Sequence, residues 1–403
     1  MQTLEHPASS APGSGGDVHH AAMGRPIRIC FISPLGYGLY RPESGYPFGG
    51  AEVQFFLLAN ELAADPAFYV TVLTTVREEP GIERYGALTV RRRTGRQRLA
   101  QAGASAPALL RQAVASFLDM RALLRDIDAD VYLHASAGIE VGAYAVICRL
   151  LRRKFFYVIA SSADLSDADG HVAGPLRRLF PLGVRLADAV VCRSHEQLDR
   201  LRVRYGREGV LIRTGHPVPA APLRKETVLW VGRMHPLKQP QMFLDLAERL
   251  PRERCVMAVM RDDRHGDLRD AVLARAARLP NVTLQEDVAW NAVGGLFAEA
   301  KVLVNTSTYE GFPNTFVQAA LAMAPVVSLS VDPDGVLAKE GLGVCAAGSF
   351  ERLVAETGRL CAAEADRSAM GHRAREYARA HHDVARSAEA LKALVRAHVP
   401  ARA

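Results

Sequence analysis

The sequence has few cysteines, and their spacing forms no motif. The 403 residues contain no Cys-x-x-Cys pair and only six cysteines, which are Cys30, Cys148, Cys192, Cys255, Cys345 and Cys361. Cysteines scattered through apolar runs match neither a zinc site nor a disulfide framework. We therefore predict reduced core thiols in a cytoplasmic protein.

Motifs of several enzyme classes are also missing. H-E-x-x-H, G-x-S-x-G and G-x-x-x-x-G-K-[ST] do not occur, which argues against metalloprotease, serine hydrolase and P-loop functions. No G-x-G-x-x-G follows the first predicted strand, which argues against a dinucleotide oxidoreductase. Charged residues interrupt every apolar run before the roughly 18 residues that a membrane span needs. Residues 1–23 have no hydrophobic segment and are predicted to form a flexible tail rather than a signal peptide.

One long stretch lacks acidic residues. From Arg91 to Leu118 no Asp or Glu occurs, whereas six arginines do: Arg91, Arg92, Arg93, Arg96, Arg98 and Arg111. The stretch is either a solvated surface loop or a patch for an anionic membrane surface or a lipid diphosphate acceptor. No aromatic residues alternate with these arginines, so we predict no nucleic acid partner. The net charge of +7 fits an anionic partner of some kind.

Strands and helices alternate along the rest of the chain. This alternation predicts α/β architecture with parallel sheets covered on both faces. The first series spans residues 24–217 and the second spans residues 218–379, with a stiff linker at Pro217–Pro222. A further helical pattern covers Ala374–Ala397.

The strongest functional pattern lies between Val302 and Val327. A short buried strand is followed by Glu310-Gly311-Phe312-Pro313 and then by an Ala-rich helical run. Pro313 is predicted in the first helical turn, where its missing N–H is not needed. The free backbone donors of that turn predict an anion beside Glu310 and Gly311.

A second unit of the same type precedes it. The predicted strand Thr227–Val231 leads into a loop with Arg233 and Lys238, and Pro240 begins a helix. Open α/β sheets bind ligands at the carboxyl ends of their strands. Two cations at that place fit a diphosphate.

These residues resemble a known family. Val-Gly-Arg…Lys, Glu-Gly-Phe-Pro-Asn, Asp-Pro-Asp-Gly and the early Gly49-Gly50-Ala51-Glu52 together are similar to the family 4 retaining glycosyltransferases. The resemblance implies the GT-B fold, in which two Rossmann-like domains face each other across a cleft. It also implies that a last helix of about residues 380–403 packs back on the first domain.

The resemblance implies a nucleotide diphosphate sugar as donor, with no cofactor and no metal. Arg233 and Lys238 would neutralise the leaving diphosphate, and Glu310 would accept hydrogen bonds from the donor sugar. Gln318 would reach the ribose. Backbone N–H groups of the loop would also bind the diphosphate. The loop residues are Gly311, Phe312, Pro313, Asn314 and Thr315, of which Pro313 has no N–H to donate. Gly49 and Gly50 would let the backbone approach a phosphate or sugar.

Three positions depart from the family pattern. Gln318 stands where a glutamate is commoner, which predicts weaker ribose contacts. Met323 and Met260 stand where glycines are usual, which predicts an altered nucleotide pocket.

The acceptor side is less defined. His134 and Asp164 follow predicted strands of the first domain and are candidates to orient the acceptor hydroxyl, although each taken alone is more often a structural residue. Among the Asp-x-Asp pairs, Asp332 and Asp334 follow a strand, and a turn is the interpretation that we favour over a metal site.

Three functions fit these observations. The first is a retaining, metal-independent glycosyltransferase that transfers a sugar to a saccharide or lipid-linked acceptor in surface polysaccharide or glycolipid synthesis, in the cytoplasm or on the inner membrane face. The second is a sugar-nucleotide epimerase or hydrolase on the same fold. The third is a non-catalytic homologue that binds sugar nucleotides or membranes.

Overall fold

A computed structural model describes residues 25–95, 106–165, 176–218 and 224–399. The predicted tail, Arg96, Arg98 and most of the predicted linker lie outside the described residues, as do residues 400–403.

The first sheet has eight strands in the order β3-β4-β2-β1-β5-β6-β7-β8. Only the pairing of β3 with β4 is antiparallel. The strands are β1 (Ile27–Ile32), β2 (Phe68–Val76), β3 (Gly81–Tyr85), β4 (Leu88–Thr94), β5 (Val131–Ala135), β6 (Lys154–Val158), β7 (Ala189–Cys192) and β8 (Val210–Leu211). The central strands β5, β6 and β7 are almost wholly buried because helices cover both faces of the sheet.

The helices of this half are α1 (Tyr37–Tyr40), α2 (Gly50–Ala63), α3 (Ala106–Ile127), α4 (Ile139–Leu150), α5 (Leu179–Leu186) and α6 (His195–Tyr205). Phe55 and Leu58 of α2 pack on one face of the sheet. The opposite face holds Leu124 of α3 and Ile147 of α4 in a second cluster. Ser194 is the N-cap residue of α6, since its Oγ accepts the Gln197 N–H at 3.2 Å.

The second sheet has six parallel strands in the order β11-β10-β9-β12-β13-β14. They are β9 (Thr227–Arg233), β10 (Arg254–Met260), β11 (Val282–Glu286), β12 (Ala300–Asn305), β13 (Val326–Ser328) and β14 (Gly343–Cys345). The helices are α7 (Pro240–Arg249), α8 (Gly266–Ala276), α9 (Trp290–Glu299), α10 (Asn314–Leu321), α11 (Val336–Lys339), α12 (Phe350–Ala362), α13 (Glu364–His381) and α14 (Val384–His398). Separate apolar clusters fill its two faces.

The C-terminal segment differs from the expectation of one helix over Ala374–Ala397. The chain breaks at His382 and Asp383, because Asp383 caps α14 by accepting the Ala385 N–H at 3.0 Å. Helix α14 then packs on the first domain, where Leu391 and Val395 join the cluster beneath α2.

Where the structure describes it, the stretch that lacks acids is strand and helix apart from Gly95. The strand is β4 and the helix is α3. Acids from elsewhere compensate two of its strand arginines, since Arg91 pairs with Asp126 and Arg92 Nε lies 2.9 Å from Glu83 Oε1. No helix among the described residues is long and apolar enough to cross a membrane. All six cysteines are free, as expected.

Candidate functional site

The carboxyl ends of both sheets border one cavity of about 480 Å³ between the domains. Every predicted donor-site residue lines it: Gly49, Gly50, Arg233, Lys238, Glu310, Gly311, Phe312, Pro313, Asn314, Thr315 and Gln318. The two strand, loop and helix units therefore converge on one space, because β9 and β12 are neighbours in the second sheet.

Lys238 and Glu310 form an ion pair at the floor of this cavity. Ser307 Oγ donates to Glu310 Oε1 at 2.7 Å. Thr306 Oγ1 donates to the Lys238 carbonyl at 2.6 Å and accepts from Trp230 Nε1 at 2.9 Å. Buried polar groups of β9 and of the chain that follows β12 thus hold the backbone of Lys238 and the side chain of Glu310 in place.

Arg233 extends toward the first domain. A Cβ added at Gly49 would overlap its guanidinium, and a Cβ added at Gly50 would lie 2.7 Å from Asn314 Nδ2. The glycine pair was expected to admit a phosphate or sugar. The structure gives a further reason for it, since both glycines also admit side chains of the second domain.

Helix α10 begins one residue later than expected. Pro313 is the N-cap residue, with φ −63° and ψ 130°, and no side chain caps the helix. The N–H groups of the first turn have no acceptor within the helix. They remain available to an anionic group in the cavity.

The side chain of Asn314 joins the two domains. Its Oδ1 accepts from Gln54 Nε2 at 2.7 Å, and its Nδ2 donates to the Gly50 carbonyl at 2.8 Å. His216 Nε2 lies 3.1 Å from the same Oδ1. Burial lowers the pKa of His216 to about 4, so the imidazole is neutral at physiological pH.

The two candidates on the acceptor side do not line the cavity. His134 is buried, its Nδ1 lies 3.1 Å from the Ile32 carbonyl, and burial lowers its pKa. Asp164 Oδ2 accepts the N–H groups of Ala160 and Ser161 at 3.1 and 3.2 Å. Asp164 therefore shapes the loop after β6, and that loop does border the cavity.

The three positions that depart from the family pattern have distinct settings. Gln318 and Met260 line the cavity. Met323 adopts a left-handed backbone with φ 60°, which glycine tolerates better than other residues. A glycine at this position would adopt the same backbone conformation with less strain.

Both aspartates of the Asp332-Pro333-Asp334 turn accept backbone N–H groups. Asp332 Oδ1 accepts the Leu337 N–H at 2.8 Å, and burial raises its pKa. Asp334 accepts two N–H groups of the first domain, from His195 and Glu196, at 3.0 Å each.

One group of side chains has metal-binding composition. His235, Asp262 and His265 place ligand-type atoms within 4.8 Å of one another. Both Asp262 oxygens already accept from Arg264, at 2.8 and 2.7 Å, and this arginine holds the pKa of Asp262 at about 2. The carboxylate is therefore committed to Arg264.

Sequence reasoning missed the contacts made between domains. Gln54, Arg193 and Trp290 line the cavity, yet no local motif marks them. The only sequence signal was position, since Arg193 directly follows a predicted strand.

Comparison with known proteins agrees with this arrangement. Residues 225–363, most of the second domain, match the family model described as Glycosyl transferases group 1. No curated protein matches the chain.

Solved structures share the whole fold at low identity. A sucrose-phosphate synthase from Thermosynechococcus elongatus is 18% identical with a TM-score of 0.73, over 92% of this chain and 98% of that one. An α,α-trehalose-phosphate synthase (UDP-forming) from Burkholderia xenovorans, in complex with glucose-6-phosphate, is 12% identical with a TM-score of 0.67, over 92% and 100%. A trehalose-6-phosphate protein from E. coli bound with UDP-2-fluoro glucose is 12% identical with a TM-score of 0.64, over 92% and 99%.

Two Rossmann-like domains that face across a basic cavity define a GT-B protein, and the predicted fold class is confirmed. The chain is a glycosyltransferase, and its second domain is of the group 1 type.

Proposed function

We propose that the protein is a retaining, metal-independent glycosyltransferase that moves a sugar from a nucleotide diphosphate sugar to a saccharide or lipid-linked acceptor. Its place would be in surface polysaccharide or glycolipid synthesis. The observation that carries the proposal is the Lys238–Glu310 ion pair, which lies with Arg233 in the cavity between the domains. Cations for a diphosphate and an acceptor for sugar hydroxyls are thus side by side.

The same residues supply what the reaction requires. The acceptor hydroxyl oxygen bonds to the anomeric carbon while the bond from that carbon to the diphosphate breaks, and the diphosphate leaves with the electron pair. Arg233, Lys238 and the first turn of α10 would stabilise the growing negative charge. The hydroxyl proton passes to the diphosphate, which is the strongest base formed in the cavity.

Retention of the anomeric configuration is supported by the hydrogen bonds and ion pairs that the cavity carboxylates already form. The described lining contains two, Glu52 and Glu310. Glu52 accepts the Gly49 N–H at 3.0 Å, and Glu310 is paired with Lys238. Neither carboxylate is free to act as a nucleophile, which favours attack on the face that the diphosphate leaves.

Residues Val114 and Leu118 of α3 support a surface for a lipid-linked acceptor. They lie one helical turn apart and are about half exposed, at 51% and 53%. Arg111 and Arg121 belong to the same helix. A basic helix with exposed apolar residues fits an anionic membrane surface. Flotation with vesicles of phosphatidylglycerol, compared with vesicles of phosphatidylcholine, tests this part, and equal recovery from both would contradict it.

The donor test combines binding and turnover. Purified protein is screened by thermal shift against nucleoside diphosphates and their sugars, and the ligand that stabilises it is then assayed for transfer with and without EDTA. Glu310→Ala and Lys238→Ala should abolish transfer but leave the folded protein intact. The anomeric configuration of the product is read by NMR.

Other outcomes select the alternatives. Consumption of the nucleotide sugar without an acceptor would indicate an epimerase or hydrolase. Normal binding of a nucleoside diphosphate without any turnover would indicate a non-catalytic homologue. Wild-type turnover in either variant contradicts the proposal.

A further inference from the structure

Two of the arginines that line the cavity have no carboxylate partner among the described residues. Lys238 is paired with Glu310, and Arg264 is paired with Asp262. Arg233 and Arg193 have no such pair. Arg233 belongs to the proposed diphosphate site. Arg193 belongs to the first domain and is not part of the proposed diphosphate site.

Arg193 is unusual because its charge is buried. The residue directly follows β7 and is only 5% exposed. Its Nη1 donates to the Ile212 carbonyl at 3.1 Å, which is a neutral acceptor. Burial lowers the pKa of Arg193 to about 10, so the guanidinium is still charged at neutral pH. Burying a charge without a counter-charge is unfavourable, which favours a bound anion at this place.

The position of Arg193 is next to the proposed reaction centre. Its backbone N–H donates to Gln197 Oε1 at 2.7 Å. A Cβ added at Gly311 would lie 2.9 Å from Gln197 Nε2, so the loop that follows Glu310 packs directly against Gln197. This amide nitrogen is buried and has no hydrogen-bond partner. Arg193 is therefore close to the donor sugar loop but is contributed by the opposite domain.

We propose that the acceptor carries an anionic group, a phosphate or a carboxylate, which Arg193 binds in the cavity. This inference rests on the proposed function and specifies its acceptor class. The planar guanidinium suits the paired oxygens of either group. Donor and acceptor would then be held by different arginines, Arg233 in the second domain and Arg193 in the first.

Calorimetry on the full chain tests the inference. The donor site is first saturated with the nucleoside diphosphate that stabilises the protein. Inorganic phosphate, glucose 6-phosphate, glucuronate and glucose are then titrated separately. Wild type should bind at least one of the three anions. Arg193→Gln should weaken that binding by about tenfold or more, as expected for losing a charge-assisted hydrogen bond. Preference between phosphate and glucuronate identifies the anionic group.

Two further variants make the result specific. Arg193→Lys keeps the charge without the planar fork and should weaken anion binding less than Arg193→Gln does. Arg367 is a matched control, since it is also buried and donates to carbonyls, those of Leu360 and Cys361, outside the cavity. Arg367→Gln should leave anion binding unchanged. The inference is overturned if wild type binds none of the anions, or if Arg193→Gln and Arg193→Lys both bind them as wild type does.

The outcomes also separate this inference from the proposed function. If no nucleoside diphosphate binds, the proposed donor site is wrong, and the anion titrations still report on Arg193. If every variant and wild type bind a nucleoside diphosphate equally but none of them then binds an anion, only the inferred acceptor class is wrong. Equal binding of the diphosphate by Arg193→Gln and wild type also shows that the variant is folded.

Discussion

Asp334 of the second domain caps the helix that begins at His195 in the first. Its two carboxylate oxygens accept the N–H groups of His195 and Glu196, each at 3.0 Å. A carboxylate at a helix N-terminus is stabilising because it satisfies free donors and meets the positive end of the helix dipole. Here that stabilisation exists only while the domains are closed.

Asp334→Ala should therefore shift the protein toward an open form. A lost cap of about 0.5–2 kcal/mol lowers the ratio of closed to open molecules roughly 2- to 30-fold. Small-angle scattering with a saturating nucleoside diphosphate should give a larger radius of gyration for the variant than for wild type. Ser349→Ala is the control, since Ser349 caps α12 within the second domain. A radius equal to that of wild type would mean that Asp334 does not hold the domains together.

Gly49→Ala should weaken binding of the diphosphate. The added Cβ would overlap the guanidinium of Arg233 and displace it. We expect about a tenfold rise in the dissociation constant for a nucleoside diphosphate, measured by calorimetry. Gly294→Ala serves as the comparison, because Gly294 lies in α9 with no atom near the added Cβ. If both variants bind as wild type does, Arg233 is not part of the donor site.

Met323→Gly should stabilise the fold. Met323 has φ 60°, a conformation that is unfavourable for residues with a Cβ. After the greater entropy of glycine in the unfolded chain is subtracted, we expect a gain of about 0.5 kcal/mol in urea unfolding. Ala322→Gly should instead destabilise, because Ala322 has a negative φ of −84°. Loss of stability in the Met323 variant would show that its side-chain packing outweighs the backbone strain.

Stability should fall below about pH 6.5, because burial lowers the pKa values of three buried histidines, His134, His216 and His382. Burial lowers the pKa of His216 to about 4 and that of His382 to about 3. The unfolded chain takes up these two protons first, so stability is fully present above pH 6.5 and decreases as pH falls toward 4. The protons of His216 and His382 correspond to about 2.7 kcal/mol per pH unit between these limits.

The variant His216→Gln isolates one of these protons. Urea unfolding between pH 4.5 and 6 should lose stability with a slope about 1.4 kcal/mol per pH unit shallower than in wild type. Glutamine can still bond to Asn314. Above pH 7.5 the two slopes should coincide. Parallel slopes over the acid range would mean that His216 is protonated equally in both states.

Local sequence patterns predicted the donor side of the site. Arg233 ends β9, and Lys238 and Glu310 come shortly after β9 and β12, so the two strand-to-helix units fix their place at the edge of the sheet. The predicted strand Thr227–Val231 is β9, which continues to Arg233. Sequence reasoning missed the short strands β3, β8 and β14, all of which lie at sheet edges.

The contacts between domains could not be read from the sequence. Asn314 and Gln54 are 260 residues apart, and no spacing rule links them. The Ala- and Arg-rich pattern near the C-terminus continues through His382, so one helix was expected. The break is decided by Asp383, which caps α14 and bridges to His216.

That bridge determines how the halves can move. The chain passes between the domains near His216 and again near His382, where the His216 N–H donates to the His382 carbonyl at 2.9 Å and the Val384 N–H donates to the His216 carbonyl at 3.3 Å. These two chain crossings are hydrogen-bonded to each other and form an interdomain hinge. Rotation of one domain about the axis through both crossings would keep these hydrogen bonds, whereas rotation about another axis or translation would break them. We therefore expect the domains to open about this axis, so that closing returns Arg233 to Gly49.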